Sequence, residues 1–179
     1  MAWTAPKTWS VGEVVTAANM NIHLRDNLLA VGPHLIARKP SDETVTSSTV
    51  FQADDHLLAP VGVNEVWWLQ WVFIATGATA GDMKVQWTFP SAGFVSWQTI
   101  GFNDAGTLTN SEQGIGTSPT SQFTLFLLGA TTPIVRTVDM FYTGGANAGN
   151  VAAEWAQVTS SGTATTMRAN SALWGMKLA

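Results

Sequence analysis

The chain has 179 residues, of which only 11 % are charged, and twelve acids against eight bases leave a net charge of −4. That balance offers no basic footprint for nucleic acid or an anionic membrane, and no run approaches the ~18 uncharged apolar residues of a spanning helix. Cysteine is absent while tryptophan occurs nine times, so disulfides, thiolate nucleophiles and Cys-based zinc sites are excluded together.

Residues 1–15 carry Trp3, Trp9 and Pro6 without any period and read as an extended arm. The opening Met1-Ala2-Trp3-Thr4-Ala5-Pro6-Lys7 lacks the basic start and apolar core of a secretory signal. An arm with large aromatic anchors and little structure of its own suits a docking peptide. Trp3, Trp9, Val14 and Val15 are therefore its candidate anchoring residues, the alternative being that Trp3 and Trp9 fold back onto the rest of the chain. Residues 16–31 read as a helix, with Thr16 as N-cap and Gly32-Pro33 as terminator. Met20, Leu24, Leu28 and Val31 form one apolar stripe at helical spacing. Asn19, Asn21 and Asn27 are poor helix formers, so the stripe needs a partner. Contact with copies of the same helix is favoured over packing on the chain's own domain. Residues 32–41 read as a linker.

From residue 42 to 179 the pattern is β throughout. Strands are expected at Thr44–Phe51, Leu57–Val61, Glu65–Ala75, Met83–Phe89, Phe94–Phe102, Gln122–Leu128, Ile134–Tyr142, Val151–Val158, Thr163–Arg168 and Leu173–Leu178. Asp54-Asp55, Gly77–Gly81, Pro90–Gly93 and Gly144–Gly149 are turn signals, and 103–121, rich in Asn, Gly, Thr and Ser, reads as one long surface loop. Without crossover helices, the fold class is mainly β: an arm and one short helix followed by an antiparallel β-sandwich.

The segment Glu65-Val66-Trp67-Trp68-Leu69-Gln70-Trp71-Val72-Phe73-Ile74 is apolar on both faces. One face fills the domain's own core. The other, with Trp68, Val72 and Ile74, requires a second cover, and a neighbouring subunit is the expected one. Low charge points the same way. Twenty charged side chains over about 8,400 Å² of expected surface is sparse for a lone domain, unless Thr, Ser, Asn and Gly supply an uncharged polar surface instead.

Chemistry-bearing patterns are few. His23, His34 and His56 show no metal-ligand spacing. Gly114-Ile115-Gly116-Thr117-Ser118 lacks the order of a nucleophile elbow, and Gly144–Gly149 opens no helix that would cradle phosphate. Asp54-Asp55 with Asp42 and Glu43 reads as a solvated turn rather than a weak calcium site, since no D-x-D-x-D-G pattern is present. Asp82, Asp104 and Glu112 give no paired-carboxylate pattern for a glycan hydrolase. Trp67, Trp68, Trp71, Trp87 and Trp155 read as core or interface, and Trp97, beside the Pro90–Gly93 turn, as the best candidate for an exposed, sugar-stacking aromatic. No enzyme activity, cofactor or metal is expected.

The run Thr8-Trp9-Ser10-Val11-Gly12-Glu13-Val14-Val15-Thr16-Ala17-Ala18-Asn19-Met20-Asn21-Ile22-His23-Leu24-Arg25-Asp26-Asn27-Leu28 resembles the amino-terminal signature of a group of tailed-bacteriophage virion proteins. Asp42-Glu43-Thr44-Val45-Thr46-Ser47-Ser48-Thr49 and Glu154-Trp155-Ala156-Gln157 before Ala164-Thr165-Thr166 are similar to the jelly-roll-like domain such proteins carry. The resemblance implies a non-enzymatic virion protein: a head fibre, capsid decoration or minor tail protein, often trimeric, assembled in the host cytoplasm. Its implied partners are its own copies and a major capsid or other virion protein. A tail-associated module is the alternative, contacting a receptor or host-surface glycan through loops 103–121 and 144–149. The chain departs from the group in its Trp67-Trp68-Leu69-Gln70-Trp71 run.

Overall fold

A computed structural model of the protein describes residues 4–27, 34–102, 108–118 and 122–179. Trp3, Leu28, Val31 and the Gly32-Pro33 terminator lie outside these residues. The N-terminal segment holds a helix α1 (Ala17–Met20) that continues into a π turn over Asn21–Asp26. Twelve strands follow: β1 (His34–Arg38), β2 (Glu43–Val45), β3 (Gln52–Val61), β4 (Val66–Gly77), β5 (Met83–Thr88), β6 (Phe94–Phe102), β7 (Leu108–Gly116), β8 (Phe123–Leu125), β9 (Gly129–Thr143), β10 (Gly149–Gln157), β11 (Thr165–Met167) and β12 (Ala172–Lys177).

All the pairing is antiparallel, and it is nested. β6 pairs with β7, β5 with β8, β4 with β9, β3 with β10, β2 with β11 and β1 with β12. The domain is thus one long hairpin, with β6–β7 at its tip, rolled until its two halves face each other. Rolling adds the lateral contacts β12·β4, β10·β5 and β6·β9. The result is a sheet ordered β1-β12-β4-β9-β6-β7, with β2 and β11 at its side, facing a sheet ordered β3-β10-β5-β8. Two four-stranded layers, β1-β12-β4-β9 and β3-β10-β5-β8, make this a jelly-roll arrangement, with the β6–β7 hairpin widening the larger sheet.

Aromatic residues fill the space between the layers. The Trp87 ring lies 5.5 Å from Trp71, 5.1 Å from Trp97 and 5.3 Å from Phe123, stacked on the last at 19°. Leu69 and Phe73 of β4, Val138 and Met140 of β9, and Val151 and Trp155 of β10 are buried around this group. Period-2 alternation on each strand delivers these side chains inward.

Several sequence expectations are corrected. The segment read as a linker contains β1, and the loop expected over 103–121 contains β7 across 108–116. Both strands are held by ladder partners rather than by their own propensity. Asp54-Asp55 does not reverse the chain but lies within β3. Its turn chemistry survives as a bulge, since the Asp54 Oδ1 accepts the backbone N–H of His56 at 2.9 Å and of Leu57 at 2.8 Å, where the β3–β10 register shifts. Asp54 is also not a solvated or calcium-binding acid: it is buried against the ammonium of Lys39. Trp97 is core, at 4 % exposure. Its partner across the ladder is Gly114, where any Cβ would stand 2.5 Å from the Trp97 Nε1, so the indole occupies the space a side chain would need.

Residues 177–179 are tied beside the β3–β4 turn. Glu65 accepts from the Gly62 N–H at 2.7 Å, from the Trp67 indole at 2.9 Å and from Lys177 Nζ at 2.7 Å, while Leu178 N donates to Val66 O at 2.7 Å.

Two outcomes follow. Trp87→Ala removes the ring that touches Trp71, Trp97 and Phe123, and chemical denaturation should show a loss of roughly 3–5 kcal/mol. Burial pushes the Glu65 carboxyl up, yet the bonds from Lys177, Gly62 and Trp67 outweigh it and hold the value at about 2, below the ordinary 4.5. A depressed folded value stabilises fully above pH 4.5, and the gain is lost as pH falls towards 2. Glu65→Gln should therefore melt lower than the wild type at neutral pH, with the gap in Tm closing between pH 4.5 and 2.

Candidate interaction surfaces

The N-terminal segment is built from local contacts. Ser10-Val11-Gly12-Glu13 makes a turn in which Glu13 N donates to Ser10 O at 3.1 Å and Gly12 takes φ +83°, the conformation that favours glycine at this turn position. Lys7 pairs with Glu13 at 2.8 Å and lies 5.5 Å over the Trp9 ring. Thr16 caps the helix, accepting from Asn19 N at 3.2 Å. The buried Asn27 amide binds both backbone groups of Thr4, at 3.0 and 2.8 Å, which folds the start of the arm against the end of the helix.

These contacts leave the apolar side chains outward. Trp9, Val14 and Val15 of the expected anchor are exposed, as are Met20 and Leu24 of the expected stripe, joined by Val11 and Ile22. Trp9 does not fold back into the core. The π turn over Asn21–Asp26 interrupts the 3.6-residue period from which the stripe was read, and Ile22 is exposed as well as Met20 and Leu24.

The second surface is the outer face of the larger sheet. Trp68, Val72 and Ile74 all point there and are half-buried. Across the β4–β9 ladder Trp68 faces Phe141, Val72 faces Thr137 and Ile74 faces Val135. On the other side Met176 lies opposite Trp68, and Trp174 opposite Gln70. Phe141 at 55 % and Trp174 at 38 % remain exposed. The outer face of the smaller sheet is different: there Gln86 donates to Glu154 at 2.7 Å and Lys84 lies 4.5 Å over the Phe51 ring. The sandwich has one wet side and one apolar side.

Sequence reasoning placed Trp68, Val72 and Ile74 together but missed Phe141, Val135 and Trp174. The signal for two of them was present, because Val135, Thr137, Asp139 and Phe141 alternate with Arg136, Val138 and Met140 along β9.

At one side of the apolar face, Gln98, Gln113, Ile115, Asp139 and Phe141 line a cleft of about 560 Å³. Asp139 accepts from the Gln70 amide at 2.9 Å. The 144–149 loop, a contact loop under the tail-module alternative, is exposed over 146–149 and held at its root. Asn147 Nδ2 donates to Ser91 O and Oγ at 3.1 and 2.9 Å, and a Cβ on Gly145 would meet Ala92 O at 2.3 Å. Among the described residues no cluster of three or more His, Asp or Glu is arranged to hold a metal, and no helix is long and apolar enough to cross a membrane.

No protein-family model and no curated protein matches the sequence. Among solved structures, the chain aligns with infectious bursal disease virus of the Gt strain at 10 % identity over 82 % of this chain and 36 % of that one, with a TM-score of 0.18. It aligns with the VP2 subviral particle of the same virus at 11 % identity over 82 % and 40 %, with a TM-score of 0.22. The chain spans less than half the length of these proteins, and at such TM-scores the likeness carries no argument about function.

Proposed function

We propose that this protein is a non-enzymatic structural component of a tailed-bacteriophage virion, a trimeric capsid decoration or head-fibre protein that docks through its arm and helix and projects its β-sandwich outward. The observation that supports the reading is the presence of two separate apolar surfaces left exposed among the described residues. One is a short N-terminal segment carrying Trp9, Val14, Val15, Met20 and Leu24; the other is a sheet face carrying Trp68, Phe141 and Trp174. A helix this short gains little stability alone, which suits a segment completed by the major capsid protein or another virion protein. A flat face spanning several strands suits contact with further copies of the chain. Decoration would then be mechanical, adding binding free energy to the assembled shell. A second reading, a tail-associated module for a receptor or host glycan, is favoured by the cleft with Gln98, Gln113, Asp139 and Phe141, since amides and an aromatic ring suit a sugar.

Particles lacking a decoration protein should assemble but lose resistance to heat or osmotic shock. Particles lacking a tail module should keep that resistance and fail to adsorb. Densitometry of purified virions separates the two as well, since decoration requires a copy number that scales with the capsid protein.

Exchanging Trp9 for Ala together with Val14 and Val15 for Asp should abolish incorporation into particles, with the thermal unfolding of the isolated protein unchanged. Incorporation at the wild-type level would exclude the arm as anchor. Phe141→Lys or Trp68→Gln should shift the sedimentation coefficient from trimer to monomer, at a folding cost on the order of 1 kcal/mol or less for exposed Phe141. A wild-type protein that sediments as a monomer at micromolar concentration would exclude the trimer.

A further inference from the structure

Lys39 follows β1 directly, on the larger sheet, and Asp54 lies in β3 of the smaller one. Both side chains are fully buried, with Lys39 Nζ 2.8 Å from Asp54 Oδ2. Glu43 Oε2 stands 2.6 Å from the same nitrogen, and its other oxygen accepts from the Gln52 amide at 2.6 Å. Asp54 Oδ1 points away from the amine and accepts two backbone N–H groups, from His56 at 2.9 Å and Leu57 at 2.8 Å. An amine, a carboxyl carbon, two donors on the oxygen that would carry charge and a second carboxylate on the amine are the components of an acyl-transfer site.

We propose that Lys39 and Asp54 join in an intramolecular isopeptide bond, with Glu43 handling the proton. The ammonium passes one proton to Asp54 Oδ2, leaving a neutral amine and a neutral acid. The Lys39 nitrogen then forms a bond to the Asp54 carboxyl carbon, and Oδ1 takes the negative charge in the grip of the His56 and Leu57 N–H groups. Glu43 accepts a proton from the attacking nitrogen. As the carbonyl to Oδ1 re-forms, the bond to Oδ2 breaks, and Oδ2 leaves as water with the proton that Glu43 returns. One ammonium and one carboxylate become one amide and one water, and no oxidant, reductant or co-reactant is involved.

Burial favours this outcome in two ways. A buried ion pair has given up the hydration that would hold it charged in water, whereas the amide product is neutral. Fixed contact at hydrogen-bond distance also supplies the high effective concentration that intramolecular reactions exploit. The bond would staple one sheet to the other, joining residues 15 apart in sequence, at the end of β1 remote from the N-terminal segment. A pull on the arm would strip β1 from β12 before it reached this staple, which then blocks unravelling of the rest. The inference rests on the geometry alone and stands whether or not the protein is a virion component.

Mass spectrometry of the intact, denatured full-length chain is the test. The expected mass is lower than the sequence mass by one water, and a protease digest should yield a single branched peptide joining the Lys39 and Asp54 segments. Glu43→Gln, which keeps the side-chain volume, should leave most of the protein at the full sequence mass. Lys39→Met should leave all of it there. Soluble, folded wild-type protein at the full sequence mass overturns the proposal, and that result needs no variant to fold. A Glu43→Gln protein that loses water as completely as the wild type overturns the role given to Glu43.

Discussion

Four rings, those of Trp71, Trp87, Trp97 and Phe123, occupy the gap between the two sheets, and the strands around them are arranged to bring these side chains to one point. Each ring comes from a different strand, β4, β5, β6 and β8, so no local hairpin contains the cluster. β6 belongs to the larger sheet and β8 to the smaller, and only closure of the sandwich makes Trp97 meet Phe123. Large rigid rings contribute much buried area for little lost rotamer freedom. That suits a domain whose polar surface relies on hydroxyls and amides more than on charge. Gly114 belongs to the same constraint, since a side chain there would displace the Trp97 indole.

Nesting governs how the chain reaches that point. With β6–β7 at the tip and β1·β12 at the base, each pair closes only a short additional loop once the pair inside it exists, which spreads the loop-closure entropy over six steps. The outermost pair still joins residue 34 to residue 175, a separation typical of slow-folding β architectures. It also sets the polarity of the domain. The N-terminal segment enters β1 at His34 and the C-terminus leaves beside Glu65, at one end of the β1–β12 pair with Lys39 at its other end, while the β6–β7 hairpin forms the opposite edge of the larger sheet.

Legibility in the sequence followed the physics of each segment. β4 could be read because a long run of Trp, Val, Leu and Ile unbroken by Gly or Pro marks a strand, and Thr16 because an N-cap is a local hydrogen bond. β1 and β7 were illegible for opposite reasons. His34-Leu35-Ile36-Ala37-Arg38 is too short for a period to register. Leu108–Gly116 is rich in the polar and glycine residues that usually mark loops, and becomes a strand because β6 offers it a ladder. Asp54-Asp55 carried a true turn signal, satisfied within a strand as a bulge. Nothing in the sequence ties Lys39 to Asp54, because their encounter depends on how the two sheets face each other. The outer sheet face was half legible: its β4 members announced themselves by hydrophobicity, whereas Phe141 and Trp174 matter only because register places them alongside.

The two apolar surfaces differ in the kind of contact they support. The N-terminal segment is short, and its long-range tie is the pair of hydrogen bonds between Thr4 and Asn27. The sheet face is held by continuous ladders, and whether it could be covered turns on its polar groups rather than its apolar ones. Covering a carboxylate is costly unless its hydrogen bonds are already made. Asp139, in the middle of this face, already has the Gln70 amide at 2.9 Å as a partner from its own chain. A second layer can therefore close over Trp68, Phe141 and Trp174 without leaving that acid wholly unpartnered, and the same pair offers a hydrogen-bonding edge should a sugar occupy the adjoining cleft instead.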